Sequence, residues 1–164
     1  MSVTAATYIA RLQVTETPNL GVAQVTNLLH THALKANLTL DGSTTVPATQ
    51  VYSATLNLSC GTLTVDLASL TDLAGSALDL TGLKVQLLLI IAASDNTAAI
   101  VVKDHGTNGY DIFGDASGSV AIPIGGFVMY GGNDKLDDVA AADKQVLVTS
   151  GDADAGFQIM IVAG

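Results

Sequence analysis

The stretch from Leu83 to Val102 constrains the fold more than any other part of the chain. It consists of two apolar runs separated by the turn-forming residues Ser94-Asp95-Asn96-Thr97. The first run is about ten residues long, well short of the roughly 18 apolar residues that a membrane-spanning helix needs. Gly82 before it, the turn after it and its β-branched residues favour a buried strand over a buried helix. We therefore predict that the two runs form the central hairpin of a β-sandwich.

The remaining sequence also has the pattern of an all-β protein. Of the 15 acidic residues only Glu16 is Glu, a helix former, and the others are Asp, which favours turns. Apolar and polar residues alternate in 8–14, 52–60 and 63–67. We predict one domain over residues 1–164, an antiparallel β-sandwich of the jelly-roll type with about ten short strands. The last two of those three segments are predicted to form a half-exposed antiparallel pair.

Some segments leave alternatives open. Residues 1–30 are either an arm that docks on a partner or swaps between subunits, or the first strands of the sandwich. Within them, Val22 to Leu29 fits a strand or a short helix, and Ala33 to Leu40 is predicted to be a strand. Leu70 to Ala77 is a candidate for a single helical turn, and Tyr110 to Phe113 for a short strand.

The charge of the chain argues against nucleic-acid binding. Six Lys and Arg stand against 15 acidic residues, which gives a formal net charge of −9. Binding to DNA or RNA requires basic side chains that neutralise phosphates, and six scattered ones do not supply them. The N-terminus also lacks a basic region followed by an apolar core, so we expect no secretory signal and folding in a cytoplasm.

The single cysteine, Cys60, cannot form an intramolecular disulfide. It continues the apolar alternation of the segment that begins at Tyr52. We therefore expect a buried thiol that behaves as a small hydrophobic side chain.

Two groups of residues are candidate metal ligands. His30 and His32 would lie on one face of a strand, but no third ligand follows at a recognisable spacing, whereas structural zinc takes four. Asp152 and Asp154 lie in an acidic loop that, like residues 133–138, lacks the closing Glu of an EF-hand. We expect an interface pair of histidines and solvated acidic turns, with no bound metal and no cofactor.

Catalytic signatures are missing from the sequence. Asp104 and His105 are adjacent, yet there is no Gly-x-Ser-x-Gly nucleophile elbow and no glycine-rich phosphate loop. Scattered Asp residues could supply a glycosidase pair, but there is no Trp and only one Glu to build a sugar cleft. We expect a protein that is not an enzyme.

Several stretches resemble structural proteins of tailed-bacteriophage virions, in particular head decoration (cement) proteins and small accessory head or tail proteins. The resemblance covers about the C-terminal half, and it is carried by Leu80-Thr-Gly-Leu-Lys-Val-Gln-Leu, Asn108-Gly-Tyr, Gly125-Gly-Phe, Ala142-Asp-Lys-Gln-Val-Leu-Val and Phe157-Gln-Ile-Met-Ile. It implies a protein of the virion, often trimeric, that sits on the capsid surface and binds the major capsid protein or another virion protein. No functional residue is carried over.

Composition agrees with an assembled protein, because 49% of the residues are hydrophobic and only 13% are charged. That excess of aliphatic side chains indicates a subunit interface, so we expect a homo-oligomer, most simply a trimer. The alternative is a ligand-binding module, for example a glycan-binding attachment domain that uses the loops around Tyr110 and Tyr130 and the acidic turns. A glycan site predicts exposed aromatic side chains on one loop edge, whereas a cement role predicts an extended apolar interface.

Overall fold

A computed structural model describes residues 7–16, 28–37, 48–72, 75–113, 118–131 and 136–164, the first two ranges as backbone. These residues form antiparallel sheets and contain no helix, which confirms the all-β class. Ten strands have four residues or more, and two have only two residues. The strands are β1 (Thr7–Glu16), β2 (Leu28–Asn37), β3 (Gln50–Asn57), β4 (Thr62–Asp66), β5 (Leu70–Thr71), β6 (Ala77–Leu78), β7 (Val85–Ala92), β8 (Ile100–Asp104), β9 (Ser119–Ile122), β10 (Phe127–Gly131), β11 (Gln145–Ser150) and β12 (Gly156–Ala163).

Two four-stranded sheets share one hydrophobic core. The first sheet has the order β10-β7-β12-β3 and the second has the order β4-β11-β8-β9. Ile90 and Phe157 of the first sheet belong to the same buried cluster as Ile100 and Val148 of the second, and all four are fully buried. Each sheet therefore buries one face against the other, as in a sandwich.

The eight strands of these sheets pair in a nested order. The first pairs with the last (β3 with β12), the second with the seventh (β4 with β11), the third with the sixth (β7 with β10) and the fourth with the fifth (β8 with β9). Only the connection from β8 to β9 stays within one sheet, and each of the others crosses to the opposite sheet. Such an order results when one long antiparallel ribbon folds over on itself.

The predicted central hairpin is therefore wrong in its pairing, although both strands exist. β7 lies between β10 and β12, while β8 lies between β11 and β9 in the other sheet. The connection 93–99 crosses the end of the core, and the Asn96 side chain ties it to the backbone of Gly156. Alternation shows which residues a strand buries, but it does not show which strand supplies the hydrogen-bond partner.

The pair predicted from 52–60 and 63–67 is wrong for the same reason. β3 and β4 belong to different sheets and are joined only by the isolated bridge between Ser59 and Thr62. Between them, Cys60 and Gly61 have positive φ angles of 53° and 77°. Cys60 thus lies in a turn, where it is exposed, and the expectation of a buried thiol is wrong.

Two further local predictions are also wrong. In the described part of 70–77, residues form the short strands β5 and β6 rather than a helical turn. The turn between them is closed by the Asp72 carboxylate, which accepts a 2.8 Å hydrogen bond from the Ser76 amide. Residues 110–113 are not a strand. Instead, the Tyr110 amide donates to the Gln145 carbonyl at 2.9 Å, and Ile112 packs into the core.

The N-terminal strands form a sheet of their own. β1 and β2 pair antiparallel from Thr7 with Asn37 to Glu16 with Leu28, and of the described strands they pair only with each other. We call this sheet the N-terminal ribbon. The segment from Val22 to Leu29 was left open between a strand and a helix, and its residues 22–27 lie outside the described residues. Residues 38–40, the end of the strand predicted from Ala33 to Leu40, lie outside them as well.

Candidate functional site

The outer face of the first sheet is mostly apolar, with eight apolar residues among its eleven positions, and we call it the apolar face. Strand register aligns Val51, Val162 and Leu87 in one row across the sheet, and Met160, Leu89 and Met129 in the next. None of its positions is charged. Three of its apolar side chains are exposed, Val51 (39%), Met160 (37%) and Phe127 (69%), and so are the polar side chains of Thr55 and Gln158. The full set of positions is Val51, Ser53, Thr55, Leu87, Leu89, Ile91, Phe127, Met129, Gln158, Met160 and Val162.

The outer face of the second sheet has a different character. Its positions are mostly hydroxyl, amide or charged residues, namely Thr62, Thr64, Asp66, Val101, Lys103, Ser119, Ala121, Gln145, Leu147 and Thr149. Asp66 pairs there with Lys144 at 3.3 Å and accepts a hydrogen bond from Gln145 at 3.2 Å. A one-sided polar surface is ordinary for an antiparallel sheet. The apolar face is therefore a particular property of the first sheet.

One end of the apolar face is covered by the chain itself. Ala48, just before β3, is buried in a small cluster with Leu87 and Val162, and Met129 packs against it. Towards the other end, Met160 and Phe127 remain exposed. Ala48 therefore shields this end of the apolar face.

Sequence reasoning did not identify the residues of the apolar face. The available signal was the unbroken run from Leu87 to Ala92, because a strand with one solvated face alternates and this one does not. Alternation in β3 and β12 is also incomplete, since Val51 and Met160 occupy outward positions. Only the register places these residues side by side.

A polar groove of about 910 Å³ opens where three connections meet at one end of the sandwich. These connections follow β7, β9 and β11. The groove is lined by Thr55, Asn57, Ile91, Ala92, Ala93, Ser94, Asp95, Asn96, Gly125, Asp152, Asp154, Gly156, Phe157 and Gln158. Asn96, a residue that sequence reasoning did not select, organises its floor. Its amide nitrogen donates to the Gly156 carbonyl at 3.0 Å, and its oxygen accepts from the Gly156 amide at 2.7 Å.

The candidate ligands Asp152 and Asp154 both line this groove, together with Asp95. The Asp152 carboxylate accepts hydrogen bonds from the backbone amides of Thr97 (2.8 Å) and Asp154 (3.2 Å). The bond from Thr97 is the main reason why the pKa of Asp152 lies below its usual value. These contacts show that Asp152 holds two connections together.

The other candidate ligands, His30 and His32, lie in β2, where their Cα partners in β1 are Val14 and Leu12. They occupy alternate positions and so share one side of the N-terminal ribbon. Across the described residues there is no group of three or more His, Cys, Asp or Glu side chains placed to hold a metal ion.

Replacing Asp152 with Asn should make stability less dependent on pH in the acid range. A carboxylate whose folded pKa is lowered stabilises the fold above its unfolded value of 3.8, and that contribution is lost as the pH falls through the folded pKa. We expect the variant to have a lower melting temperature than the parent at pH 7, and a smaller difference as the pH falls below 3.8 and through the lowered folded pKa. Asp154→Asn removes one charge from the same loop and is the control. If the difference in melting temperature between Asp152→Asn and the parent does not change with pH, the Asp152 carboxylate does not stabilise the fold through its charge.

Tyr110, which the glycan-binding alternative placed on an exposed loop, is 1% exposed. Its hydroxyl donates to the Asp137 carbonyl at 2.7 Å and accepts from the Val85 amide at 3.4 Å. Burial raises the pKa of this phenol to about 12. Tyr130, in contrast, is 39% exposed and makes an edge-to-face contact with Phe113, with ring centroids 5.7 Å apart. Only Tyr130 of the two is accessible to a ligand.

Removing the Tyr110 hydroxyl should destabilise the fold. In Tyr110→Phe the Asp137 carbonyl and the buried Val85 amide both lose their hydrogen-bond partner, and we expect a decrease of about 1–3 kcal/mol in the free energy of unfolding. Urea unfolding followed by circular dichroism measures the change. Tyr130→Phe makes the same chemical change at an exposed position and should alter stability by less than about 0.5 kcal/mol. Equal losses in the free energy of unfolding would show that the buried Tyr110 hydroxyl stabilises the fold no more than the exposed Tyr130 hydroxyl.

No protein-family model matches the chain, and no curated protein is significantly similar to it in sequence. Among the described residues, no helix is long and apolar enough to cross a membrane.

Proposed function

We propose that this chain is a non-enzymatic structural protein of a virion. It forms a homo-oligomer, with a trimer favoured, and stabilises a capsid by binding its outer surface as a decoration (cement) protein. The observation that carries the proposal is the apolar face, on which Val51, Met160 and Phe127 are exposed and no position is charged. The expected lattice partner is a major capsid protein or another virion protein.

The size of the apolar face supports a contact with protein. Four strands about 4.8 Å apart and roughly six residues long cover on the order of 400 Å². The exposed apolar side chains of Val51, Met160 and Phe127 occupy part of that area, and exposed apolar patches on soluble proteins commonly mark interaction sites. One such face is smaller than the roughly 800 Å² that each partner contributes to a standard interface, so additional surface must take part.

The topology supports the same proposal. The nested pairing of eight strands across two sheets is the order expected of a jelly roll, an architecture found in viral capsid proteins and also in lectin domains. Because one architecture serves many functions, the fold agrees with the resemblance described above but does not by itself select a function.

The first measurement is the solution mass by light scattering on a sizing column, with and without chelator. We expect about three times the chain mass of 16.6 kDa, unchanged by chelator, because the interface is apolar. A chelator-sensitive mass would indicate instead that a metal holds the assembly, and a monomer would contradict the oligomer.

Immunogold electron microscopy of virus particles purified from the source organism then tests the location. Label on the heads is expected, and unlabelled particles would reject the virion assignment.

The second candidate function is a ligand-binding module, for example for glycans, and the polar groove favours it. Thr55, Asn57, Asn96 and Gln158 present amide and hydroxyl groups there, which suit sugar hydroxyls. Titration with a panel of neutral and acidic oligosaccharides, followed by nuclear magnetic resonance, distinguishes the two. Chemical-shift changes that are confined to groove residues and abolished in Gln158→Ala would favour ligand binding. An absence of chemical-shift changes would count against it.

A further inference from the structure

The apolar face needs a cover that one copy of the sandwich does not supply. Ala48 shields only the end of the face at Leu87 and Val162. Met160 in the centre and Phe127 at the edge strand remain exposed in the single chain, the latter by 69%. An element that covers the face must therefore present an apolar side to these two residues.

The N-terminal ribbon lacks a packing partner for either of its faces among the described strands. A two-stranded ribbon is at best marginally stable in water unless one of its faces packs against something. The sequence alternation puts Tyr8, Ala10, Leu12 and Val14 at positions on one side of β1. The register sets Ala36, Leu34, His32 and His30 opposite them in that order, so this side of the ribbon is mostly apolar and carries two histidines. Strands of ten residues extend about 33 Å, which is long enough to cross the whole apolar face.

Charge favours the same contact. Within the two ribbon strands, Arg11 and Lys35 stand against Glu16 alone, so the ribbon carries a small positive charge. Residues 48–164 contain 4 Lys and 13 Asp, and are strongly negative. A weakly basic ribbon is therefore attracted to the acidic sandwich, whereas two sandwiches repel each other.

The path of the chain keeps the ribbon close to this surface. Residues 38–47 connect the end of β2 to Ala48, and a segment of ten residues spans at most about 36 Å. Because Ala48 packs on the apolar face, the end of β2 lies within about 36 Å of that face, a reach that also allows contact with a copy assembled beside it. Exchange of such an element between identical copies is a low-cost route to an oligomer.

We propose that the N-terminal ribbon of one copy packs across the apolar face of a second copy, over Met160 and Phe127. The inference rests on the homo-oligomer of the proposed function and identifies its interface. The exchanged ribbons supply the surface that the apolar face alone lacks for a stable assembly. The second copy is favoured over the same chain because a ribbon folded onto its own sandwich would add no contact between copies, whereas the proposed oligomer needs one.

Disulfide cross-linking between co-expressed chains tests the proposal. All variants carry Cys60→Ser, which removes the only native thiol. One chain carries Leu12→Cys and a second, differently tagged chain carries Met160→Cys. Oxidation of the purified full-length assembly should give a covalent heterodimer of twice 16.6 kDa, at least tenfold more abundant than with Ala121→Cys as the second chain. Ala121 is a matched control, because it is an exposed outward position of the second sheet.

A single chain carrying both Leu12→Cys and Met160→Cys separates the alternatives. Cross-linked oligomers support exchange between copies, whereas only intramolecular disulfides would show that the ribbon covers its own sandwich and would overturn the proposal. An oligomer without either cross-link would overturn it as well, while leaving the homo-oligomer itself intact. A monomeric parent protein would instead reject the oligomer of the proposed function.

Charge insertion provides an independent readout of the same contact. We expect Met160→Lys to shift the solution mass from oligomer to monomer, and Ala121→Lys to leave it unchanged. The circular dichroism spectrum of both variants should remain that of the parent, which shows that the fold persists. An oligomer that tolerates Met160→Lys would contradict a contact at the apolar face.

Discussion

Replacing Ile90 with alanine is expected to lower the free energy of unfolding by about 2–5 kcal/mol. Ile90 is fully buried at the middle of β7, where it faces the core between Val128 and Ile159 of the neighbouring strands. The substitution removes three carbon atoms and leaves a cavity. This cavity cannot easily close, because β7 is held on both sides by its hydrogen bonds to β10 and β12. Urea unfolding at neutral pH measures the loss, and the slope of free energy against urea should stay constant.

Ile124→Ala is the matched control, because Ile124 is 47% exposed in the turn between β9 and β10. The same chemical change there should cost less than about 1 kcal/mol. A loss at Ile90 no larger than that at Ile124 would mean that the shared core does not lie between the two sheets.

Replacing Gly61 with alanine is the second change for which we expect a large effect. Gly61 has a φ of +77°, a conformation that costs an L-residue about 1–2 kcal/mol. A Cβ there would also lie 2.8 Å from the carbonyl oxygen of Ser150. That oxygen cannot easily retreat, because the Ser150 amide donates to the Gly61 carbonyl at 2.9 Å. The total loss should therefore exceed the conformational cost alone.

Gly75→Ala isolates the conformational part of that cost. Gly75 has a φ of +80°, and a Cβ there would have no atom within 4 Å. We expect this variant to lose about 1–2 kcal/mol and Gly61→Ala to lose clearly more, both measured as the change in free energy of urea unfolding. Equal losses would show that the turn after β3 does not pack tightly against β11.

Individual strands could be predicted from the sequence because alternation and turn residues are local signals. The segments at Tyr8, Tyr52, Leu63, Val120 and Phe157 all correspond to strands of the structure. Errors arose where local signals compete, as at Cys60. That residue continues an apolar alternation, yet it lies in a turn because Gly61 and the connection from β11 to β12 determine the backbone there.

For the candidate sites, the sequence supplied residue types but not their neighbours. Asp152 and Asp154 could be selected because they stand in an acidic turn, but the groove they line also depends on Asn96, about 55 residues earlier in the chain. The excess of aliphatic residues predicted an interface without placing it. The histidines at 30 and 32 share a side of the ribbon, as a strand requires.

The sequence by itself determined that this protein is all-β and where most of its strands lie. Only the tertiary structure decided that consecutive strands cross between sheets, so that β7 pairs with β10 and β12 rather than with β8. The reason is physical. Burial of alternate side chains depends on residues close together in the chain, whereas strand pairing depends on hydrogen bonds between segments far apart in it. The apolar face belongs to the second kind of property, because it exists only where the register sets Val51, Met160, Leu89 and Phe127 on one side of the same sheet.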